Sequence, residues 1–518
     1  MVSVHPETLQ PSKYPLWTFK SARLRIAFLL MFCWFCAMAL RVNLSMAVVC
    51  MVNSTAYETA DQVASEFTNL TLYESSKCGG QYGEKSNSSY RGTLLWSSKM
   101  VSTLMSSGFY GGLITIWIAG YLADRFGAKI MLLLAILDSM VINVATPVLA
   151  TTSYYAMLGS RGILGLGDGF IFPAVSSMSA RWFPPSERST MAAITTSGNQ
   201  IAGVFAMVIS SYLCSVDLLG GWPLIFYSFS IVGLVWILFW CLFASNSPEQ
   251  NKYISEEEKT YINASLAGHI HNNGNSKKLY TNPIPWLSIA TSLPIYANIL
   301  CQFTYNFSQG LLQNYLPLYL KQILRVELHT NGILAMLPFI TTLIAKNFAG
   351  ILSDKLKNKG HMSNTAGVKI FQALENFGGA LCCIVMTYFI DCTTLPLAIV
   401  IFLGYGAFYS FGICGFFTSH LSVAPQYTGI LFSILKIASV LGSVIAVELV
   451  GFINVHGTEA EWSLIWLIAA ILNAFTAVFY IIFGSAELQK WAIPRQAQKE
   501  IQKDQHSQSS NSLDELSD

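Results

Sequence analysis

The feature that most constrains this chain is a succession of long apolar runs, each long enough to cross a bilayer as a helix. About twelve such runs of roughly 18 to 25 residues occur. By number they lie near 25 to 50, 97 to 119, 130 to 150, 155 to 178, 190 to 214, 223 to 244, 290 to 312, 331 to 352, 368 to 390, 395 to 418, 428 to 453 and 463 to 484. With 53% hydrophobic and only 11% charged residues, the sequence predicts an all-α membrane protein of twelve spanning helices.

The net charge of +2 provides no basic surface for nucleic acid, so no nucleic-acid partner is expected. Most of the eleven cysteines fall within the apolar runs, and only Cys78 lies clearly in a loop on the far side of the membrane. We therefore expect no disulfide framework. No spacing of metal ligands is present, and no metal or cofactor is predicted.

The positive charges fall in alternate loops. They precede the first run and follow the second, fourth, sixth, eighth and twelfth runs. By the positive-inside rule these loops and both termini are cytosolic. The prediction gives cytosolic tails at 1–24 and 485–518 and a cytosolic linker at 246–289. The first run lacks a cleavage site for a signal peptide and is read as a retained helix.

The longest loop on the opposite side, 52–95, contains three N-glycosylation sequons. Their acceptor residues are Asn53, Asn69 and Asn87. Three acceptors in one loop agree with a luminal or extracellular position, and glycosylation is predicted there.

Two short segments repeat at equivalent places in the chain. GYLADRFGAK, at 120–129, follows the second run, and GILSDKLKNK, at 350–359, follows the eighth. The matching residues are Gly120, Asp124 and Arg125 in the first segment and Gly350, Asp354 and Lys355 in the second. The duplication predicts two six-helix halves, 25–245 and 290–484, with a glycine at each segment for close helix approach. The two charged loops are expected to gate the cytosolic side.

GYLADRFGAK is similar to the signature loop of the major facilitator superfamily. Further segments resemble the anion:cation symporter family, which includes sialin, the vesicular glutamate transporters and the sodium-dependent phosphate transporters. They are LRVNLSMAVVCMVNST, WFPPSERS, GWPLIFYSF, SPEQNKYISEEEKTYI and HLSVAPQYTGIL. The resemblance runs from about residue 23 to 491 and implies a twelve-helix major facilitator fold.

Two charged residues lie within the fourth run, in RGILGLGDGF. Arg161 and Asp168 are seven residues apart, which places them on nearly one face of a helix, roughly 10 Å apart along its axis. The glycines at 162, 165, 167 and 169 would let a neighbouring helix approach closely. Because a charge at mid-bilayer costs at least about 2.5 kcal/mol, we expect both residues to face a cavity between the halves. The alternatives are mutual neutralisation and snorkelling from a span end.

Arg41 lies two-thirds of the way along the first run. A guanidinium group is always protonated and its planar donors suit a carboxylate or phosphate. Arg41 and Arg161 are therefore predicted to hold one anion between them, and both match arginines to which the resemblance gives a substrate role. The alternative for Arg41 is snorkelling to the interface.

Asp168 matches an intramembrane acid of the family, which implies coupling to protons. Burial favours the neutral form of a carboxyl group and a nearby arginine favours the ionised form, so the two effects compete at such a site. A sodium ion is the alternative coupling ion.

Weaker predictions concern three further substrate contacts, Tyr305, His420 and Lys436. Tyr305 and His420 stand at positions where the resemblance places tyrosine and histidine in sialin-like proteins. Lys436 adds a cation where relatives often have an amide. The other charged residues in or near runs, Lys346, Glu375 and Glu448, are read as span-end residues rather than ligands.

The sequence thus predicts a secondary transporter of small organic anions, acting by proton-coupled symport with alternating access. The alternatives are sodium-dependent cotransport of phosphate or organic anions, anion uptake driven by voltage, and a non-transporting receptor built on a transporter scaffold. No nucleophile elbow, zinc motif or catalytic carboxylate pair indicates an enzyme. The expected partners are a small anion and the lipid bilayer, in a lysosomal, vesicular or plasma membrane.

Overall fold

The computed structural model describes residues 17–18, 21–53, 92–184, 187–216, 220–272, 285–359, 362–424 and 427–492. Within these ranges the chain is built of helices, and its one extended pairing is the isolated bridge between Val52 and Leu94.

Twelve long helices form the bundle in the part of the chain that is described. The first half contains α1 (Ala22–Met51), α2 (Ser98–Phe126), α3 (Ala128–Thr152), α4 (Tyr154–Trp182), α5 (Arg188–Ser215) and α6 (Pro223–Phe243). The second half contains α7 (Leu293–Gln322), α8 (Leu328–Asn358), α9 (Asn364–Tyr388), α10 (Leu395–Tyr409), α11 (Thr428–Ile453) and α12 (Glu459–Phe483). Shorter helices lie at Glu256–Asn272 in the linker, at Trp286–Ala290, and at Phe416–Val423, just beyond α10.

Eleven spans in the described residues are long and apolar enough to cross a membrane. One of these joins α10 to the short helix after it, and α7 is not among the eleven. At 30 residues α7 is long enough, but it carries a row of amide side chains that lowers its hydropathy. The architecture is consistent with the predicted twelve spanning helices in two halves.

The helix ends follow local sequence signals. Thr458 and Glu461 form a capping box at the start of α12, which satisfies backbone N–H groups that have no partner within the helix. Gly127 separates α2 from α3 with φ of 90°, a conformation that residues with a side chain rarely adopt. Asn246, just after α6, closes this turn by accepting a hydrogen bond from the Lys129 backbone at 2.8 Å.

The bundle has two different ends. We call the end where α1 begins and the linker helix packs the linker end, and the end where α1 finishes and α2 begins the loop end. At the loop end one hydrophobic core draws on all twelve helices, from Leu40 of α1 to Val450 of α11. At the linker end the other four clusters of described residues each draw on one half alone.

Small residues bring the halves together at the loop end. Gly451 of α11 lies against Ser102 of α2, and Gly332 of α8 lies against Ser211 of α5. The hydroxyl of Ser106 in α2 donates a short hydrogen bond to Glu448 in α11. The ammonium of Lys321 donates to the Val49 carbonyl of α1 at 3.1 Å. The loop end is therefore closely packed across the interface.

At the linker end the linker helix is anchored to the start of α1. Glu258 accepts hydrogen bonds from the Ser21 hydroxyl, from the backbone N–H groups of Ala22 and Arg23, and from Arg23 Nε at 2.9 Å. Arg23 also pairs with Glu187, which precedes α5. The Arg23 and Glu258 side chains are both fully buried. One carboxylate thus caps α1 and neutralises a buried guanidinium.

The expectation of no disulfide framework is wrong. Cys50 and Cys214 form a disulfide that joins α1 to α5 at the loop end, and Cys392 is also disulfide-bonded. Cys50 and Cys214 stand at the last positions of the first and fifth predicted runs. Both lie in the last turn of their helices, where α1 and α5 approach each other.

Candidate functional site

A cavity of about 760 Å³ lies between the halves, on the linker side of the shared core. Its wall is formed by α1, α2, α4 and α5 of the first half and by α7, α11 and the short helix after α10 of the second. This volume falls in the range of pockets that enclose small molecules. A site shared by the halves can change its exposure when the halves move relative to each other.

Arg41 and Asp168 face each other across this cavity. Arg41 Nη1 lies 3.9 Å from Asp168 Oδ2, at the outer limit of an ion pair. The other carboxylate oxygen, Asp168 Oδ1, is buried and receives no hydrogen bond from the described residues. The Arg41 guanidinium lies over the ring of Phe109, 4.1 Å from its centroid, which orients it toward the cavity. The ion pair is therefore loose, and the side chain of Arg41 remains 35% exposed.

Lys436 enters the same cavity from α11, in the second half. It lies close enough to Arg41 and Asp168 to interact electrostatically with both. Among the ion pairs of the described residues, none includes Lys436. The cavity thus holds a second cation without a carboxylate partner of its own.

His420 lies in the wall of the cavity near its linker side. Its ring packs against Phe417, with centroids 4.9 Å apart, and against Phe432 at 5.8 Å. Neither ring nitrogen has a hydrogen-bond partner in the described part of the chain, although the side chain is buried. His420 therefore lies at the cavity with both ring nitrogens unpaired in the described residues, and a substrate contact there stays a prediction.

Arg161 does not line the cavity. It is 3% exposed and donates from Nη2 to the Thr146 hydroxyl of α3 at 3.3 Å, while its guanidinium lies 5.5 Å from the Phe226 ring of α6. It is Arg41, and not Arg161, that comes within ion-pair distance of Asp168. The expectation that Arg161 faces the cavity is wrong in this structure, because its guanidinium is held by Thr146 of α3 and Phe226 of α6. Its role in binding an anion together with Arg41 stays a prediction.

Tyr305 also lies outside the cavity wall. Its ring stacks on Tyr409 with centroids 4.0 Å apart and touches Phe416 at 5.4 Å. It thus packs α7 against the segment where α10 ends. A substrate contact at Tyr305 stays a prediction as well.

Close helix packing explains three of the four glycines singled out in the fourth run. A Cβ atom on Gly165 would lie 1.9 Å from the Gly108 carbonyl oxygen of α2, and one on Gly167 would lie 2.6 Å from Asp138 of α3. The expected close approach is confirmed at Gly165 and Gly169, which face α2, and at Gly167. It is wrong at Gly162, where a Cβ atom would meet nothing within 4 Å. The packing of α4 against α2 fixes the face of α4 that Asp168 presents to the cavity.

The sequence reading missed the polar side of α7. Asn306, Gln309 and Gln313 all line the cavity. Their spacing of three and four residues places them on one helix face, a signal that is visible in NFSQGLLQN. Ser439 and Ser443 of α11 extend the same polar wall. These groups offer both donors and acceptors to a ligand that carries several oxygen atoms.

An aromatic layer, formed by Trp34, Phe172 and Phe432, lies one or two helix turns from the charged residues on the linker side. Phe172 of α4 and Phe432 of α11 stack across the two halves, with ring centroids 4.8 Å apart and planes 6° apart. Trp34 of α1 meets Phe172 edge-on at 6.4 Å. The layer therefore connects the halves on the linker side of Arg41 and Asp168.

The charges read as span-end residues are differently placed. Glu375 is 4% exposed near the middle of α9, where it accepts a short hydrogen bond from Gln372. Lys346 lies within the span of α8 and donates to Thr196 of α5 at 3.1 Å. The span-end interpretation is wrong for these two. The same helix supplies a polar partner to Glu375, and a neighbouring helix supplies one to Lys346. Glu448, in contrast, lies in the last turns of α11.

The duplicated segments lie at the linker end of α2 and α8. Arg125 and Lys355 are exposed there, and the side chains of Asp124 and Asp354, like Gly120, lie outside the described set. A Cβ on Gly350 would meet no atom within 4 Å, so the close approach expected at that glycine is wrong in this structure. The gating role of these segments stays a prediction.

Of the three predicted glycosylation sites, only Asn53 lies in the described chain. It follows α1 directly, and its backbone N–H donates to the Leu94 carbonyl at 2.9 Å. Asn69 and Asn87 lie outside the described residues. Glycosylation at all three stays a prediction.

Comparison with known proteins identifies the family. Residues 28–447 match the model of the Major Facilitator Superfamily. The chain is 32% identical to sialin of Homo sapiens over 91% of each chain. It is 33% identical to a putative inorganic phosphate cotransporter of Drosophila melanogaster, over 88% of this chain and 84% of the relative.

A solved structure of a bacterial homologue of the lysosomal transporter Spinster, inward-facing and unoccupied, shares the fold. Its TM-score is 0.62 at 13% identity, and the match covers 90% of this chain and 97% of that one. The chain is thus a multi-pass membrane transporter, with a small molecule as its substrate. It belongs to the major facilitator superfamily and, within it, to the anion:cation symporter family that includes sialin, the vesicular glutamate transporters and the phosphate cotransporters.

Proposed function

We propose that this transporter carries small organic anions by symport with protons, with Asp168 as the proton carrier. The observation that supports this most strongly is the loose pair of Arg41 and Asp168 in a cavity shared by both halves. Names of relatives point to anionic cargo, since they include a vesicular glutamate transporter and a putative inorganic phosphate cotransporter.

The coupling follows from competition for one guanidinium. While Asp168 is ionised, it occupies Arg41 and neutralises its charge. When Asp168 takes up a proton, Arg41 loses its partner and is free to bind a carboxylate or phosphate of the substrate. Release of the proton restores the internal pair and displaces the anion. Proton and anion therefore bind together and leave together.

Alternating access then requires the halves to open at one end while they close at the other. The close packing at the loop end and the separate cores at the linker end correspond to a state that opens toward the linker. We propose that the linker end and both termini are cytosolic, and that the segments with Arg125 and Lys355 close that side in the opposite state. A lysosomal, vesicular or plasma membrane fits this orientation.

The test is uptake into proteoliposomes of a labelled anion panel: sialic acid, glutamate, aspartate, urate and phosphate. A pH gradient, a sodium gradient and a membrane voltage are imposed separately. We expect accumulation driven by the pH gradient alone. Uptake driven only by sodium or only by voltage would show that sodium or voltage, rather than protons, is the energy source. Absence of transport under all three conditions would favour a receptor.

Asp168→Asn should abolish acid-driven accumulation but retain exchange of labelled for unlabelled anion, because the amide keeps the size of the side chain and removes its proton chemistry. Glu375→Gln is the control, since Glu375 is an intramembrane carboxyl residue of α9 that does not line the cavity. Normal accumulation by Asp168→Asn would refute the assigned role.

A further inference from the structure

The cavity between the halves contains more positive than negative charge. Arg41 and Lys436 contribute two cations, and Asp168 contributes the only carboxylate among the described lining residues. With Asp168 ionised the net charge of these three groups is +1, and with Asp168 protonated it is +2. This balance determines the charge that a ligand must supply.

The other intramembrane cations nearby have protein partners. Arg161 donates to Thr146, and Lys346 donates to Thr196. Lys436 takes part in none of the ion pairs and side-chain hydrogen bonds of the described residues; it lies in a membrane-spanning helix and lines the cavity. A charge in such a place is costly unless it is paired. A ligand in the cavity can provide that pairing.

We infer that the substrate of this transporter is a dianion, whose two negative charges are bound by Arg41 and by Lys436. The inference rests on the proposed function, because Arg41 is available only when Asp168 is protonated. A monoanion would then leave one of the two cations unpaired in the cavity. A dianion neutralises both, one from each half of the protein.

The remaining lining fits a ligand rich in oxygen atoms. Gln309 and Gln313 of α7 and Ser439 and Ser443 of α11 line the cavity and offer hydrogen bonds to hydroxyl, carboxylate or phosphate oxygens. Both a hydroxylated dicarboxylate and divalent phosphate satisfy this chemistry. The shared requirement is two negative charges on one small polar molecule.

The experiment compares matched acids that differ by one carboxylate. Uptake of labelled glucarate and gluconate, and of labelled malate and 3-hydroxybutyrate, is measured in proteoliposomes of the full chain with an imposed pH gradient. We expect the dianion of each pair to be accumulated at least about tenfold faster than the monoanion. Unlabelled inorganic phosphate at pH 7.4, added as a competitor, shows whether divalent phosphate uses the same site.

Variants of Lys436 connect the preference to this residue. Lys436→Gln removes the charge and should bring the ratio of glucarate to gluconate uptake close to one, mainly through loss of glucarate uptake. Lys436→Arg keeps the charge and should keep the preference. If Lys436→Gln fails to yield monodisperse protein in detergent, Lys436→Met replaces it.

The outcomes separate this inference from the function on which it rests. Equal uptake of monoanions and dianions by the wild type would overturn the inference and leave proton-coupled anion transport intact. A dianion preference that survives in Lys436→Gln would overturn the role of Lys436. If none of the four acids and none of the earlier panel is transported, the proposed function and the inference both fail.

Discussion

The two ends of the interface between the halves are built differently. At the loop end, glycine and serine residues let α2 meet α11 and α5 meet α8 closely, and one hydrophobic core continues across all twelve helices. At the linker end, each described hydrophobic cluster belongs to a single half. A densely packed interface resists separation, whereas separate cores can move as units. The linker end is therefore the end at which this conformation opens.

Few described contacts join the halves on the linker side of the charged residues. The stacked rings of Phe172 and Phe432 form one of them, and the hydrogen bond from Lys346 to Thr196 forms another. Each half is in turn stiffened internally, as the cluster of Arg23, Glu187 and Glu258 illustrates. On the linker side of the charged residues the halves are thus joined by few contacts, whereas at the loop end they share one continuous core.

The largest effect on stability is expected at the linker end, where Glu258 and Arg23 hold the linker helix against α1. Glu258→Gln removes the charge that pairs with the buried Arg23 and weakens the cap of α1. Because a buried guanidinium would lose its counter-ion, we expect a loss of about 3 kcal/mol in the free energy of unfolding. Thermal unfolding in detergent, followed by tryptophan fluorescence, measures the effect. Glu257→Gln, at an exposed neighbouring position, serves as control. Equal stability of the two variants would show that the cluster is not structural.

The second largest effect is expected at the loop end, where α8 packs closely against α5. A Cβ atom on Gly332 would already lie 2.5 Å from Ser211 Cβ and 2.9 Å from the Met207 carbonyl oxygen. Gly332→Leu should therefore push α8 away from α5 and cost about 2 kcal/mol of stability, with a loss of most transport.

Gly159→Leu provides the comparison for that variant, because a Cβ atom at Gly159 meets nothing within 4 Å. It should change stability by less than about 0.5 kcal/mol. Unfolding temperature and uptake are measured for both proteins. Normal transport by Gly332→Leu would contradict the view that close approach at this point closes the loop end.

The smallest expected effect is at the aromatic layer. Phe432→Ala removes the stacking with Phe172, which is worth about 1 kcal/mol beyond its buried area, and should leave the linker end open for more of the time. The measurement uses a protein that also carries Ser176→Cys, at a position that lines the cavity. We expect a methanethiosulfonate reagent to label this introduced cysteine several-fold faster in Phe432→Ala than in the protein with Phe432. Phe452→Ala, on the exposed surface of the same helix, should leave the labelling rate unchanged. An unchanged rate in Phe432→Ala would mean that the layer does not control access.

Much of the architecture was predictable because membrane helices need long apolar runs, and because the duplicated segments at 120–129 and 350–359 mark two halves. The presence of Arg41 and Lys436 at the site was expected from anion chemistry and from resemblance to relatives, and the location of Asp168 in a cavity followed from the cost of charge in the bilayer. The orientation of Arg161 did not, since it depends on how α4 packs against α3 and α6. These tertiary contacts decide the direction of a side chain, and the spacing of residues along one helix does not reveal them.

Contacts between helices account for the remaining differences as well. Cys50 and Cys214 stand at the last positions of two predicted runs, and only the packing of α1 against α5 shows that these ends meet in space. The polar face of α7 was visible as a spacing of amides but was read as part of an ordinary span. Its significance emerges only once α7 is seen beside the cavity.

In the proposed mechanism the ionised Asp168 carboxylate and the substrate anion compete for Arg41. Protonation of Asp168 and binding of the anion therefore occur together. The most direct measurement is the proton uptake that accompanies substrate binding to purified protein in weakly buffered detergent solution, followed with a pH indicator. We expect saturation with the transported anion to cause uptake of about one proton per wild-type molecule and of none in Asp168→Asn. Binding of the anion without proton uptake, or with equal uptake in Asp168→Asn, would contradict it.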